Sequence, residues 1–318
     1  MTSVVGPALI SVRRSVSDTR GSDDVGARYH SRGQSRSSRA CHRKVDYRSD
    51  DAPSALAKSL RDTGFVVVTN HPIDVSRIDG LYAKWRDFFA SEQKFDYLFD
   101  PSIQDGYFPF RTENAKSSPT KDLKEFYHVY PHGRVPSTLA VEIRAFYTQM
   151  VTFGQTLLGW VAENSPVEVR ERFSDPLDEM VHNSARNLLR VLHYPPLGRV
   201  DAEPGAVRAA AHEDINLITL LVSGSTPHLQ ALDALGEWHD VPCDAGMITV
   251  NCGDMLQMAS GGYFPSTTHR VVNPLRSQNV SRYSMPMFVQ PRPNVRLGDG
   301  YTAEDYLQER LKEIGLET

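Results

Sequence analysis

Three side chains in this sequence have the types and spacing to hold one metal ion. In Ala211-His212-Glu213-Asp214-Ile215-Asn216-Leu217-Ile218-Thr219-Leu220-Leu221, His212 and Asp214 stand two positions apart, and the apolar run after them argues for a strand. On a strand, residues i and i+2 project from the same face, so both reach a single ion while Glu213 points away. His269 follows 57 residues later in Ser266-Thr267-Thr268-His269-Arg270-Val271-Val272, a second candidate strand. Two imidazoles and one carboxylate leave the other positions of an octahedron open, which suits an Fe(II) that must also admit O2 beside a co-substrate. Alone the pair is weak evidence, because a chain with 11 histidines meets His-x-Asp by chance. A third element strengthens it. Arg282-Tyr283-Ser284 lies 13 residues beyond His269, and on a strand Arg282 and Ser284 share a face. A guanidinium fork with a hydroxyl beside it is suited to gripping a carboxylate. The surrounding Tyr283, Met285, Met287, Phe288 and Val289 are apolar enough to be internal, and a buried Arg needs an anion.

These residues must be placed by the elements around them. Ala52–Thr63 reads as a helix with Leu56 and Leu60 at helical spacing, stopped by Gly64. Phe65–Val68 is a short β-branched run that ends before Asn70 and Pro72. Asp74 can cap a second helix running to about Ser91, with Ile78, Leu81, Trp85 and Phe88–Phe89 on one face. A loop-rich stretch, 105–120, precedes a strand at Glu125–Tyr130, and helices fill Ser137–Asn164 and Pro166–Phe173. From about Asn187 the character changes to short strands between Gly, Pro and Asp turns. These are Leu188–Tyr194, Ile215–Val222, Leu229–Leu232, Met247–Val250, Met255–Met258, Thr268–Val272 and Ser281–Val289. Many short strands at this spacing suggest a sandwich or barrel. A helix near Ala303–Ile314 closes the chain. The expected organisation is a tail over 1–44, a helical region over 45–186, a β catalytic core over 187–292 and a C-terminal helix over 293–318.

Composition bounds the partners. Over 318 residues, 40% are hydrophobic and 23% charged, enough for a sizeable core. A net charge of −4 gives no general case for nucleic acid or an anionic membrane, and no apolar run is long enough to span a bilayer. Cys41, Cys243 and Cys252 are odd in number and lack metal-binding spacing, which suits a reducing compartment, hence the cytoplasm. Residues 1–44 carry nine Lys/Arg against three Asp, a net of +6, which leaves −10 on the rest. With nine serines and Tyr29 as their sole aromatic, they cannot bury enough apolar surface to order the chain. A solvated tail is the expectation, and an organelle transit peptide stays open.

Taken together, these segments resemble the 2-oxoglutarate/Fe(II) dioxygenases of the isopenicillin N synthase-like group, from about Val45 to Val289. Gly64-Phe65-Val66-Val67-Val68-Thr69-Asn70-His71 is similar to the group's N-terminal strand and turn, and Leu192-His193-Tyr194-Pro195-Pro196 to its "NYYPP" segment. Val250-Asn251-Cys252-Gly253-Asp254-Met255-Leu256-Gln257 is similar to "VNIGDmLQ", and Thr268-His269-Arg270-Val271 to the "HRV" that follows it. The resemblance implies a double-stranded β-helix, or jelly roll, with iron inside one open end. It implies His212, Asp214 and His269 as iron ligands. Arg282 and Ser284 would then bind the distal carboxylate of 2-oxoglutarate, with the Tyr194 hydroxyl beside them. It also implies an O2-dependent oxidation of a substrate C–H bond (hydroxylation, desaturation or ring closure) with release of succinate and CO2. Two positions depart from the pattern: Leu192 replaces an Asn, and His228 stands where a Gly usually precedes Leu-Gln.

The residues leave rivals open. An iron oxidase of the same fold that takes no 2-oxoglutarate would keep Arg282 and Ser284 for its substrate. A zinc hydrolase could use the same three ligands, although no general base beside them is evident. A non-catalytic jelly-roll binding module would show degraded ligands, and none is degraded. The substrate is expected to be a small molecule. Arg111, Lys124 and Arg190 lean it towards an amino acid, peptide or secondary metabolite that carries a carboxylate.

Overall fold

The computed structural model describes residues 10–11, 43–113, 121–198, 207–224, 226–242, 244–298 and 300–313. Two sheets face each other. The larger has eight strands in the order β2 (Arg43–Asp46), β3 (Phe65–Thr69), β11 (Ile248–Cys252), β8 (Ile218–Val222), β13 (Arg282–Val289), β6 (Leu188–Tyr194), β5 (Glu125–Val129) and β4 (Gly106–Phe108). The smaller runs β1 (Ile10–Ser11), β7 (Ala209–Asp214), β12 (His269–Val271), β9 (Leu229–Leu232) and β10 (Trp238–Asp240). All pairs are antiparallel except β2 with β3.

Period-two alternation divides the strands of the larger sheet between two faces, one packed in the main core and one partly lining a cavity. On β13, Tyr283, Met285, Met287 and Val289 enter the main core, whereas Arg282, Ser284, Pro286 and Phe288 line a cavity on the opposite face. β6 repeats the pattern, with Leu189 and Val191 in that core and Arg190, Leu192 and Tyr194 at the cavity. Helices cover the core face: α1 (Ala52–Thr63), α2 (Val75–Ala90), the long α3 (Ala140–Glu163) and the short α5 (Leu177–Met180). Trp85, Phe88 and Phe89 of α2 and Phe146, Met150, Phe153 and Leu157 of α3 are all buried there. On the other face, Phe65, Val67 and Leu221 meet Ala209, Leu229, Ala231 and Val271 of the smaller sheet. The cavity opens between the sheets where this apolar contact gives way to polar side chains.

Expected boundaries hold where local signals are strong. α1 ends on Gly64, which takes the left-handed conformation (φ 70°) and returns its N–H to Leu60 O. Asp74 caps α2 by accepting from Ser76 N at 2.9 Å. Three expectations are corrected. Ile215–Val222 is not one strand: β7 ends at Asp214, residues 215–217 cross between the sheets, and β8 begins at Ile218 in the larger one. Met255–Met258 is not a strand but part of α6 (Asp254–Ala259), since a four-residue apolar run carries no period of its own. Pro166–Phe173 forms only the single turn of α4 (Val167–Arg170). β4 lies within the stretch read as loop, while β10, α5 and the hairpin of β14 (Arg296–Gly298) and β15 (Tyr301–Thr302) carry no clear local signal. The region expected to be helical, 45–186, also supplies strands to the larger sheet, β3 against β11 and β5 against β6.

Most of the tail over 1–44 lies outside the described residues. Of the parts described, Ile10 and Ser11 pair with Asp214 and Glu213, where the edge of β7 offers free backbone groups to a segment whose composition predicts disorder. Arg43 and Lys44 pair with Val66 and Val67. The closing helix is α7 (Ala303–Glu313).

The crossing after β7 is clamped by the turn that follows β11. Gly253 N donates to Leu217 O at 2.9 Å, and Met255 N to Asn216 O at 3.1 Å. A Cβ on Gly253 would lie 2.3 Å from both Asn216 O and Asn216 Oδ1, and 2.8 Å from Asp214 O. Gly253→Ala should therefore cost about 1–3 kcal/mol through overpacking. Thermal unfolding should show a Tm lower by several degrees; an unchanged Tm would contradict the close approach.

Candidate metal centre

His212 and Asp214 end β7, and His269 opens β12 directly opposite His212. Between the pairs His269–His212 and Val271–Ala209, β7 carries one extra residue, so Ala210–Ala211 bulge. The bulge turns Ala210 O toward the imidazole of its own strand, where it accepts from His212 Nδ1 at 2.6 Å. Thr267 O likewise accepts from His269 Nδ1 at 3.2 Å. With Nδ1 donating in both rings, each Nε2 keeps its lone pair for a ligand. Asp214 is held by one oxygen. Its Oδ2 accepts from Thr219 Oγ1 at 2.5 Å and Asn251 Nδ2 at 2.8 Å, while Asn216 Nδ2 donates to Thr219 Oγ1 at 2.8 Å.

Asp214 Oδ1 is left facing the two rings, 3.9 Å from His212 Nε2 and 3.8 Å from His269 Nε2. These separations exceed a hydrogen bond. The three ligand atoms lie within 4.8 Å of one another, all three residues are buried, and no hydrogen bond joins them. Unshared donors gathered in this way fit a cation, and two nitrogens with one carboxylate oxygen fit iron in a facial set. Burial, then the neighbouring His269, push the His212 imidazole well below its usual range, so it stays neutral and able to ligate. Burial alone would raise the Asp214 carboxyl. The hydrogen bonds that Asn251 and Thr219 donate to Oδ2 work the other way, and the net shift of the carboxyl is downward. Glu213 is absent from the cavity lining and accepts from Thr268 Oγ1 at 2.8 Å, as its odd position on the strand requires.

The other expected residues share the same cavity. Arg282, Ser284 and Tyr194 all line it, with 2%, 3% and 3% of their surfaces exposed. Arg282 Nε donates to Thr226 O at 3.2 Å, but its buried Nη1 has no partner. Its guanidinium carbon sits 5.1 Å from the centre of the Tyr194 ring, and the two residues are cross-strand neighbours. A buried cation with an idle donor is the local demand for an anion. Leu192 lines the cavity beside Tyr194, opposite Ser284 in register. His228 is half-buried in the turn before β9, with φ 96°, the left-handed region in which Gly is at ease.

Lys124 and Arg190 also line the cavity, but their charges are matched. Lys124 Nζ lies 2.8 Å from Glu113 Oε2 and 2.8 Å from Asp122 Oδ2, and Arg190 Nη1 lies 3.2 Å from Glu113 Oε2. Arg190 Nε donates to His128 Nε2 at 2.9 Å. Burial opposes the charge on Lys124, yet Asp122 and Glu113 overcome it and raise its pKa. Burial likewise opposes ionisation of Glu113, and Arg190 and Lys124 prevail. Sequence reasoning missed Thr219 and Glu113. No local motif marks them, and only the crossing of the chain between sheets brings Thr219 to Asp214.

Comparison with known proteins agrees with this geometry. The 2OG-Fe(II) oxygenase superfamily model matches residues 185–291, and a model described as non-haem dioxygenase in morphine synthesis N-terminal matches residues 42–145. A solved structure from Shewanella oneidensis, described as an oxygenase, is 48% identical with a TM-score of 0.78, covering 86% of this chain and 98% of that one. The 2-oxoglutarate-dependent dioxygenase citB of Monascus ruber is 29% identical over 301 residues, 82% of this chain and 89% of that protein. A full-length Neurospora crassa protein, solved in complex with alpha-KG, shares the fold at 23% identity and a TM-score of 0.73, covering 85% of this chain and 95% of that one. The chain thus belongs to the 2-oxoglutarate/Fe(II) oxygenase superfamily, as an oxidoreductase of double-stranded β-helix fold that uses iron and 2-oxoglutarate to oxidise a small organic substrate.

Proposed function

We propose that His212, Asp214 and His269 hold the iron, and that Arg282 and Ser284, with the Tyr194 hydroxyl, grip the distal carboxylate of 2-oxoglutarate. One observation carries this reading: three unshared metal donors and an unpartnered buried guanidinium open into the same cavity. When bound, Fe(II) supplies O2 activation coupled to oxidation of 2-oxoglutarate to succinate and CO2, which drives oxidation of a substrate C–H bond. The chain's own residues supply the setting. The Nδ1 bonds orient both imidazoles with Nε2 towards the ion, and Thr219 and Asn251 fix the carboxylate. Leu192, Leu221, Leu229, Val271 and Phe288 give the cavity apolar walls that exclude water. The lean towards a carboxylate-bearing substrate loses support from Lys124 and Arg190, because Glu113 and Asp122 already neutralise them. We therefore favour a small substrate held mainly by apolar contact.

Replacing His212, Asp214 or His269 by Ala should abolish both stoichiometric Fe(II) uptake and substrate-dependent succinate formation, since two remaining ligands cannot define the facial set. Metal analysis of the purified variants beside succinate assays checks this, and full turnover in Asp214→Ala would refute the ligand assignment. Within the carboxylate site, Arg282→Gln should weaken 2-oxoglutarate binding by about 2–5 kcal/mol, the cost of unpairing a buried charged contact. Arg282→Lys should restore part of that, because an ammonium cannot reproduce the planar fork. Ser284→Ala should lose only about 0.5–1.5 kcal/mol, one neutral donor. The KM for 2-oxoglutarate across the three variants tests the order. Unchanged 2-oxoglutarate kinetics in Arg282→Gln, with weakened binding of the main substrate, would instead favour an oxidase that uses the pair for its substrate.

A further inference from the structure

A second arginine lies beside the first. Arg208, immediately before β7, has none of its surface exposed. Its Nη2 donates to Val280 O at 2.8 Å, while Nε and Nη1 are buried without partners. Its guanidinium carbon stands 5.9 Å from the Tyr194 ring centre, against 5.1 Å for Arg282, so two cations flank one phenol. Among the described residues no carboxylate pairs with either arginine, in contrast to the matched wall of Lys124, Arg190, Glu113 and Asp122. Two like charges buried together oppose each other and are tolerated where an anion joins them.

From this arrangement we infer that Arg208 is a positioning and specificity residue for the co-substrate, supplying a second positive charge at the Tyr194–Arg282 end of the cavity that selects a 2-oxo acid with a distal carboxylate over one without. The inference rests on the 2-oxoglutarate reading of that site. Arg208 acts through field and through Tyr194, not as a further lining residue. Two titratable groups sense this field. Burial, then the charge of Arg282, pull the Arg208 guanidinium down to about 10. His228 is lowered by burial, then by Arg208 and Arg282.

The test titrates 2-oxoglutarate, and separately 2-oxopentanoate, which has the same chain length without the distal carboxylate, into the Mn(II)-loaded full-length protein by calorimetry. Wild type should prefer 2-oxoglutarate strongly. Arg208→Met should bind 2-oxoglutarate at least tenfold more weakly, leave 2-oxopentanoate within about twofold, and so narrow the preference, whereas Arg208→Lys should retain most of it. The unliganded Arg208→Met protein should melt no lower than wild type, because a buried like-charge repulsion is gone, yet gain less Tm from added 2-oxoglutarate. Arg208→Gln serves as a second neutral variant if the Met side chain fails to fold. Equal weakening of both oxo acids, or wild-type affinity for 2-oxoglutarate in the neutral variants, would overturn the inference while leaving the site itself standing. If wild type binds 2-oxoglutarate no better than 2-oxopentanoate, the 2-oxoglutarate reading falls first.

Discussion

The Asp214 carboxylate is where the two sheets are tied together. It is carried by the last residue of β7 in the smaller sheet, but its Oδ2 is held by Thr219 of β8 and Asn251 of β11, both in the larger sheet. A sandwich packed only by apolar contact can slide, because hydrophobic burial has no direction. Charge-assisted hydrogen bonds in a buried setting do have direction. Fixing one oxygen to the larger sheet leaves the other to face His212 and His269. The alignment of the sheets and the aim of the candidate metal donors are therefore one constraint. The turn at Gly253 belongs to the same arrangement, since it clamps the crossing that carries the chain from Asp214 to Thr219.

Much of the candidate site was legible because strand geometry converts spacing into direction. His212 with Asp214, and Arg282 with Ser284, are pairs at i and i+2, and both pairs reach the cavity. Tyr194 and Arg282 come together because β6 and β13 are neighbours in register, which no local pattern specifies. Arg208 was illegible for a related reason. Its immediate sequence, Val207-Arg208-Ala209, carries no motif, and only the tertiary fold removes it from water beside another arginine.

Secondary structure was readable to the extent that each run had a period or a cap. The helices with a Gly stop or an Asp cap, α1 and α2, were bounded almost to the residue. Apolar runs of four to eight residues fared unevenly: Leu188–Tyr194 and Leu229–Leu232 match β6 and β9 to the residue, but elsewhere a buried strand, a short helix and a crossing present the same composition. That ambiguity explains both the mistaken strand at Met255–Met258 and the fused strand at Ile215–Val222. In the second case a strand break was hidden, since the residues of the crossing, Ile215 and Leu217, are themselves fully buried. The "helical" half differs in emphasis: β3 and β5 read correctly as strands, but nothing local showed that they join the catalytic sheet.

The quartet of Lys124, Arg190, Glu113 and Asp122 has a consequence for how such a cavity can diversify. Removing any one member leaves an unmatched charge in the interior, a loss of about 3–5 kcal/mol. A protein of ordinary stability can absorb few such losses, so this wall can drift only by compensated double changes. Leu192, Leu221 and Leu229, lining the same space, carry no such bond and can be exchanged singly at the smaller cost of repacking. Descendants of this chain would thus acquire new substrates by reshaping the leucine side of the cavity, while the charged side stays frozen as inherited architecture.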